Sequence, residues 1–117
     1  MDIKELRIGN LVYCDGIVEE VHPYTFHNLI NNLVKISPIF ITRGELFSFG
    51  FNEFFKKDFE DKKNPIKGVR FDFFELEIQV WIYDHDGNYM SINEIRYVHQ
   101  LQNLYFDLSG EELEYKS

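Results

Sequence analysis

Apolar and polar positions alternate with period two from Phe71 to Tyr83, the longest such run in the chain. Phe74, Leu76, Ile78, Val80 and Ile82 fall on one side, and Phe73, Glu75, Glu77, Gln79, Trp81 and Tyr83 on the other. That pattern predicts a strand with one buried face, with a bulge or bend accommodated near Phe73-Phe74. Asp84-His85-Asp86-Gly87-Asn88 turns the chain and Tyr89 to Ile92 returns antiparallel, so residues 69–92 read as a β-hairpin. The period becomes helical after Tyr97. Val98, Leu101, Leu104, Tyr105 and Leu108 form one continuous stripe, and Gly110 is a stop signal, which predicts a helix over 97–109.

Upstream the elements are shorter. Asn10 to Tyr13 and Ile17 to Val21 flank an Asp15-Gly16 turn, a strong local hairpin signal. Pro23, which cannot donate a ladder hydrogen bond, is expected to end the second strand. Thr25 to Ile30 and Leu33 to Ile36, around Asn31-Asn32, read as two further strands, with a helix over Phe26 to Val34 as the competing assignment. Four short strands make residues 1–40 an SH3-like cluster. Thr42-Arg43-Gly44-Glu45 is a capping box, so a short helix is expected over 42–50, and Leu113 to Tyr115 could add an edge strand. The fold class is therefore α+β and β-rich, a single domain over 1–117, in which the N-terminal strands and a long antiparallel hairpin pack with one short and one longer C-terminal helix.

Composition changes this picture in two ways. With 117 residues, 44% of them hydrophobic and 17% aromatic, the chain is long and apolar enough for one ordered core. Twenty acidic against twelve basic residues give a formal net charge of −8, a field that repels phosphate backbones and disfavours nucleic acid as a partner. The lone Cys14 excludes an internal disulfide and a cysteine metal cage, and Asp15 beside it raises rather than lowers a thiol pKa. No signal pattern and no membrane-length apolar run is present, so a cytoplasmic, membrane-free chain is expected.

The C-terminal run Tyr97-Val98-His99-Gln100-Leu101-Gln102-Asn103-Leu104-Tyr105-Phe106, followed by Asp107-Leu108-Ser109-Gly110-Glu111-Glu112-Leu113, resembles the ending of small uncharacterised proteins carried by phages and prophages of Bacteroides-type bacteria. Leu6-Arg7-Ile8-Gly9-Asn10-Leu11-Val12-Tyr13 is similar to their N-terminus. Pro38-Ile39, Thr42, Glu45-Leu46 and Phe49-Gly50-Phe51 are similar to their middle segment, while residues 54–90 carry no resemblance. Asp107 stands where the family pattern has Ala. The resemblance implies a phage- or prophage-type accessory protein and transfers no catalytic or binding residue.

Candidate chemistry is sparse. Asp84 to Asn88 invites a calcium reading, but aligning Gly87 with the glycine of an EF-hand loop puts Ile82 and Asn93 where defining carboxylates belong. His22 and His27 are spaced for neither a helix nor a strand face, and Glu75 and Glu77 read as a solvated pair. No catalytic residue, metal ligand or cofactor site is nominated, and the chain is read as non-enzymatic. Two surfaces are candidates for protein contact. One is Trp81 and Tyr83 on the polar side of the long strand. The other is the far side of the last helix, with His99, Gln102, Asn103 and Phe106. The expected partner is a host or phage protein, with self-association into a homo-oligomer as a further expectation. The competing readings are a small-ligand, nucleotide-like sequestering protein that antagonises host defence, and an acidic nucleic-acid mimic.

Overall fold

The computed structural model describes residues 3–115, except 32, 76, 93 and 94. A 3₁₀ turn at Ile3–Glu5 leads into β1 (Leu11–Cys14) and β2 (Ile17–Glu20). Then come α1 (Pro23–Ile30), β3 (Ile36–Ser37), α2 (Arg43–Ser48), β4 (Lys56–Asp58), β5 (Ile66–Phe73), β6 (Ile78–Asp84), β7 (Tyr89–Ile92) and α3 (Val98–Ser109). The architecture is α+β and β-rich. Two antiparallel sheets, ordered β2-β1-β3 and β4-β5-β6-β7, are joined by α3.

Local chemistry accounts for most boundaries. Asp15 and Gly16 both take positive φ (50° and 86°), which a type I′ hairpin turn demands. Thr42 Oγ1 accepts from the Glu45 amide and starts α2. The Gln100 side-chain oxygen accepts from the Arg96 and Tyr97 amides and starts α3. Gly110, at φ 72°, stops α3 by donating to the Phe106 carbonyl.

Three expectations are corrected. Residues 23–30 form α1, not strands, because Pro23 occupies the first helical turn, where a missing N–H costs nothing. The Thr25 hydroxyl accepts from the His22 amide and secures that end. The first forty residues thus hold a hairpin, a helix and a two-residue strand in place of four strands; Asn32 lies outside the described residues. Second, the run from Phe71 to Tyr83 is two strands, with the Phe74 amide donating to the Glu77 carbonyl across the turn (2.8 Å); Leu76 also lies outside the described residues. Phe73 pairs with Ile78, an odd position with an even one. Odd positions before the turn therefore share a face with even positions after it. Phe71, Phe73, Ile78, Val80 and Ile82 point to the core, and Arg70, Asp72, Gln79, Trp81 and Tyr83 point away. Third, Leu113 to Tyr115 is not a strand; Leu113 is simply buried in the core.

The main core lies between the inner face of the second sheet, α2 and α3. It holds Leu46, Phe49, Phe51, Phe59, Val69, Phe71, Val80, Val98, Leu101 and Tyr105. A satellite cluster of Leu6, Val12, Cys14 and Val21 sits under the first sheet, with Phe26 and Ile36 packed against it. The expected α3 stripe is accounted for: Val98, Leu101 and Tyr105 are buried, and Leu104 and Leu108 pack against the core.

Candidate protein-contact site

Cross-strand pairing builds the outer face of the second sheet from two rows. Lys56, Arg70, Trp81 and Ser91 are successive partners across its four strands, as are Asp58, Gly68, Tyr83 and Tyr89. The side chains of these rows interlock. Trp81 Nε1 donates to Asp72 Oδ2 (2.9 Å), and the other Asp72 oxygen pairs with the Arg70 guanidinium (3.2 Å). The Arg70 guanidinium lies 5.8 Å from the Tyr89 ring centre, and Lys56 Nζ lies 4.6 Å from that of Tyr83. Trp81 meets Tyr89 edge to face. A hydrogen bond from Arg70, and then one from Lys56, hold the Tyr89 phenol below its ordinary pKa.

Tyr83 is not part of the exposed surface. It is 3% exposed, lies across Gly68, and its hydroxyl donates to Asp58 Oδ1 at 2.6 Å. Desolvation, then the Asp58 hydrogen bond, raise its pKa far above the ordinary phenol value, so it stays neutral. What remains accessible is Tyr89, 43% exposed, with part of Trp81 and the Arg70 and Lys56 head groups. On this face Tyr89 and Ser91 are exposed, and Lys56, Arg70, Asp72, Gln79 and Trp81 are half-buried. Tyr89 was not singled out in the sequence, because its place beside Trp81 depends on the β6–β7 register.

The second candidate surface turns inward. His99 and Gln102 are buried, and together with Asn103 they hold the segment 5–11. Gln102 bridges the main chain, its Oε1 accepting from the Leu11 amide (2.8 Å) and its Nε2 donating to the Gly9 carbonyl (3.3 Å). Asn103 Oδ1 accepts from Arg7 Nε and Asn10 Nδ2, while its Nδ2 donates to the Glu5 carbonyl. His99 Nε2 lies 3.0 Å from the Glu5 carboxylate, and its ring stacks on Tyr97. Phe106 stays 37% exposed, but the Arg7 guanidinium sits 4.7 Å from its ring centre. The polar side of α3 thus joins the two sheets and is not available to a partner, except at Asn103 and the open face of Phe106.

The remaining sequence candidates are placed as follows. Asp84 Oδ1 accepts from the Asp86 and Asn88 amides and Oδ2 from Asn88 Nδ2, so this carboxylate staples the hairpin turn. The Asn88 contacts are the main reason its pKa is lowered. Among the described residues no group of three or more His, Cys, Asp or Glu side chains is placed to hold a metal ion. A cleft of about 370 Å³ beside α3 is lined by Glu60, Glu111, Glu112 and Glu114 against the single cation Lys57. Burial, then the charge of Glu19, raise the Cys14 thiol. We expect Ellman's reagent to modify native Cys14 at least about tenfold more slowly than the urea-unfolded chain, since only the exposed thiolate reacts; equal rates would contradict the observed burial. No helix among the described residues is long and apolar enough to cross a membrane. No family model, curated protein or solved structure matches the chain.

Proposed function

We propose that the chain is a non-enzymatic protein-contact module, a phage- or prophage-type accessory protein that works in the bacterial cytoplasm by binding a partner protein. The observation that carries this reading is the aromatic and cationic cluster on the partly exposed outer face of the second sheet. It gathers Trp81, Tyr89 and Arg70, the residue types that dominate binding hot spots. In a chain of net charge −8, this face also holds two cations, Lys56 and Arg70, the second already paired with Asp72. The fitting partner is a segment with an apolar side chain for the Trp81–Tyr89 edge and a carboxylate for the cations. The resemblance of the Tyr97 to Leu113 run supports the accessory-protein class. The four glutamates of the cleft beside α3 weigh against an anionic nucleotide in that cleft.

Peptide-display panning on the wild type, with the selected peptides then measured against Trp81→Ala, tests the site. Selected peptides should be acidic and apolar and should lose at least about tenfold in affinity on Trp81→Ala, as removal of a central aromatic anchor does. Trp81 is the chain's single tryptophan, so binding should also shift its fluorescence. Peptides that bind both proteins equally and leave the emission unchanged would overturn the assignment.

A further inference from the structure

The two sheets have four edges, and three of them are blunted. β4 is Lys56-Lys57-Asp58, β2 ends in Glu19-Glu20, and β3 is only two residues long. β7 is Tyr89-Met90-Ser91-Ile92, with neither charge nor proline, and Met90 is 63% exposed. Its backbone polarity follows from the hairpin. The Asp84 amide donates to the Asn88 carbonyl, which makes 84–88 a hydrogen-bonded pair. Alternation then makes Ile82–Met90 and Val80–Ile92 hydrogen-bonded as well. Tyr89 and Ser91 therefore direct their N–H and C=O groups away from β6, toward the open edge.

That edge is self-complementary. Two β7 strands placed antiparallel about a two-fold axis through Met90 set Tyr89 of each copy opposite Ser91 of the other. All four outward N–H groups and carbonyls that Tyr89 and Ser91 contribute then pair with one another. Met90 meets its own copy on the inner side, next to Ile82 and Ile92, which are only partly buried. An uncharged seam also suits a strongly acidic chain, whose β2 and β4 edges would bring charges together.

We propose that β7 is a homodimer seam that joins two four-stranded sheets into one of eight strands, the partner being a second copy of this chain. This rests on the reading of the chain as a protein-contact module but uses the main-chain edge of β7 in place of the side-chain face of Trp81 and Tyr89, to which Tyr89 and Ser91 also contribute. Sedimentation equilibrium at about 100 μM, a concentration suited to a modest interface, should give twice the monomer mass for the wild type. Ser91→Pro removes an N–H that faces outward, so β7 can keep its pairing with β6 while the seam is blocked. Met90→Lys places like charges at the axis. Both variants should sediment as monomers with wild-type circular dichroism, and Trp81→Ala should remain dimeric. A wild type that stays monomeric, or a Ser91→Pro protein that still dimerises, overturns the seam. Neither result bears on peptide binding at Trp81, which the panning experiment reads separately.

Discussion

Gly68→Ala is expected to be the most damaging single-methyl change in the chain, lowering stability by about 3–5 kcal/mol, the sum of overpacking and a lost buried hydrogen bond. A Cβ on Gly68 would lie 2.3 Å from the Lys57 carbonyl oxygen, 2.5 Å from the Tyr83 hydroxyl and 2.9 Å from the Asp58 Cα. Two of those atoms are backbone of the neighbouring strand and cannot swing aside. The third can move only by giving up its 2.6 Å hydrogen bond to Asp58 and its place beneath Lys56. Against a typical total of about 5–15 kcal/mol, that loss removes from about a fifth to all of the stability. Gly44→Ala is the control, since its added methyl meets only the Thr42 hydroxyl at 3.6 Å, and the change should be neutral or stabilising by up to about 1 kcal/mol. Urea titration of both variants decides the matter. Tyr83→Phe in the Gly68→Ala background separates the two clashes, because it relieves the hydroxyl contact and leaves the carbonyl contact intact. Equal stability of Gly68→Ala and wild type would mean that Tyr83 does not lie across the glycine.

The row that Gly68 supports shows where the sequence was readable and where it was not. The α3 stripe, the Thr42 cap and the Asp15-Gly16 turn were legible because each is settled within a few residues, by period or by backbone conformation. The outer face was legible only in part. Trp81 and Tyr83 do share a face, and a bulge or bend is expected near Phe73-Phe74, but the alternation through residues 71–83 did not show that the break between Phe73 and Ile78 reverses the chain and exchanges odd for even positions. Nothing local distinguishes such a turn from an unbroken strand, since both leave one face apolar on each side of it. β4 was missed for a related reason. Lys56-Lys57-Asp58 has no apolar pattern, and its strand character comes from pairing with β5. The polar side of α3 did carry a signal. Gln100, Gln102 and Asn103 are uncharged amides, whereas a solvated helix face is ordinarily built from Glu, Lys and Arg. Uncharged amides on a helix suit fixed hydrogen bonds to main chain, here to a segment more than ninety positions away in sequence. That separation is why the polar residues looked like a surface for another protein.

Gln102→Leu tests that account most directly. The substitution keeps nearly the same volume but leaves the Leu11 amide and the Gly9 carbonyl without their partner. Stranding a buried donor costs about 1–3 kcal/mol, and the second lost bond brings the expected loss to about 2–4 kcal/mol. For a chain of this length that corresponds to a melting temperature lowered by roughly 10 °C. Gln102→Glu should be worse, since a carboxylate cannot donate to the Gly9 carbonyl and adds a charge at a site only 4% exposed. Phe106→Ala removes only a half-open stack with Arg7 and should cost about 1 kcal/mol or less. Hydrogen exchange supplies the residue-level reading. In the wild type the Leu11 amide should be protected, and in Gln102→Leu its protection should fall further than that of Val12, which keeps its partner in β2, or of Tyr13, which keeps its partner in β3. If Gln102→Leu melts with the wild type and Leu11 stays protected, the first sheet is held by the contacts of His99 and Asn103 to Glu5, Arg7 and Asn10 without the Gln102 side chain. If the loss is as expected, the Gln-Asn pair of the C-terminal run is a main-chain clamp, which gives those residues a structural reason that owes nothing to an external partner.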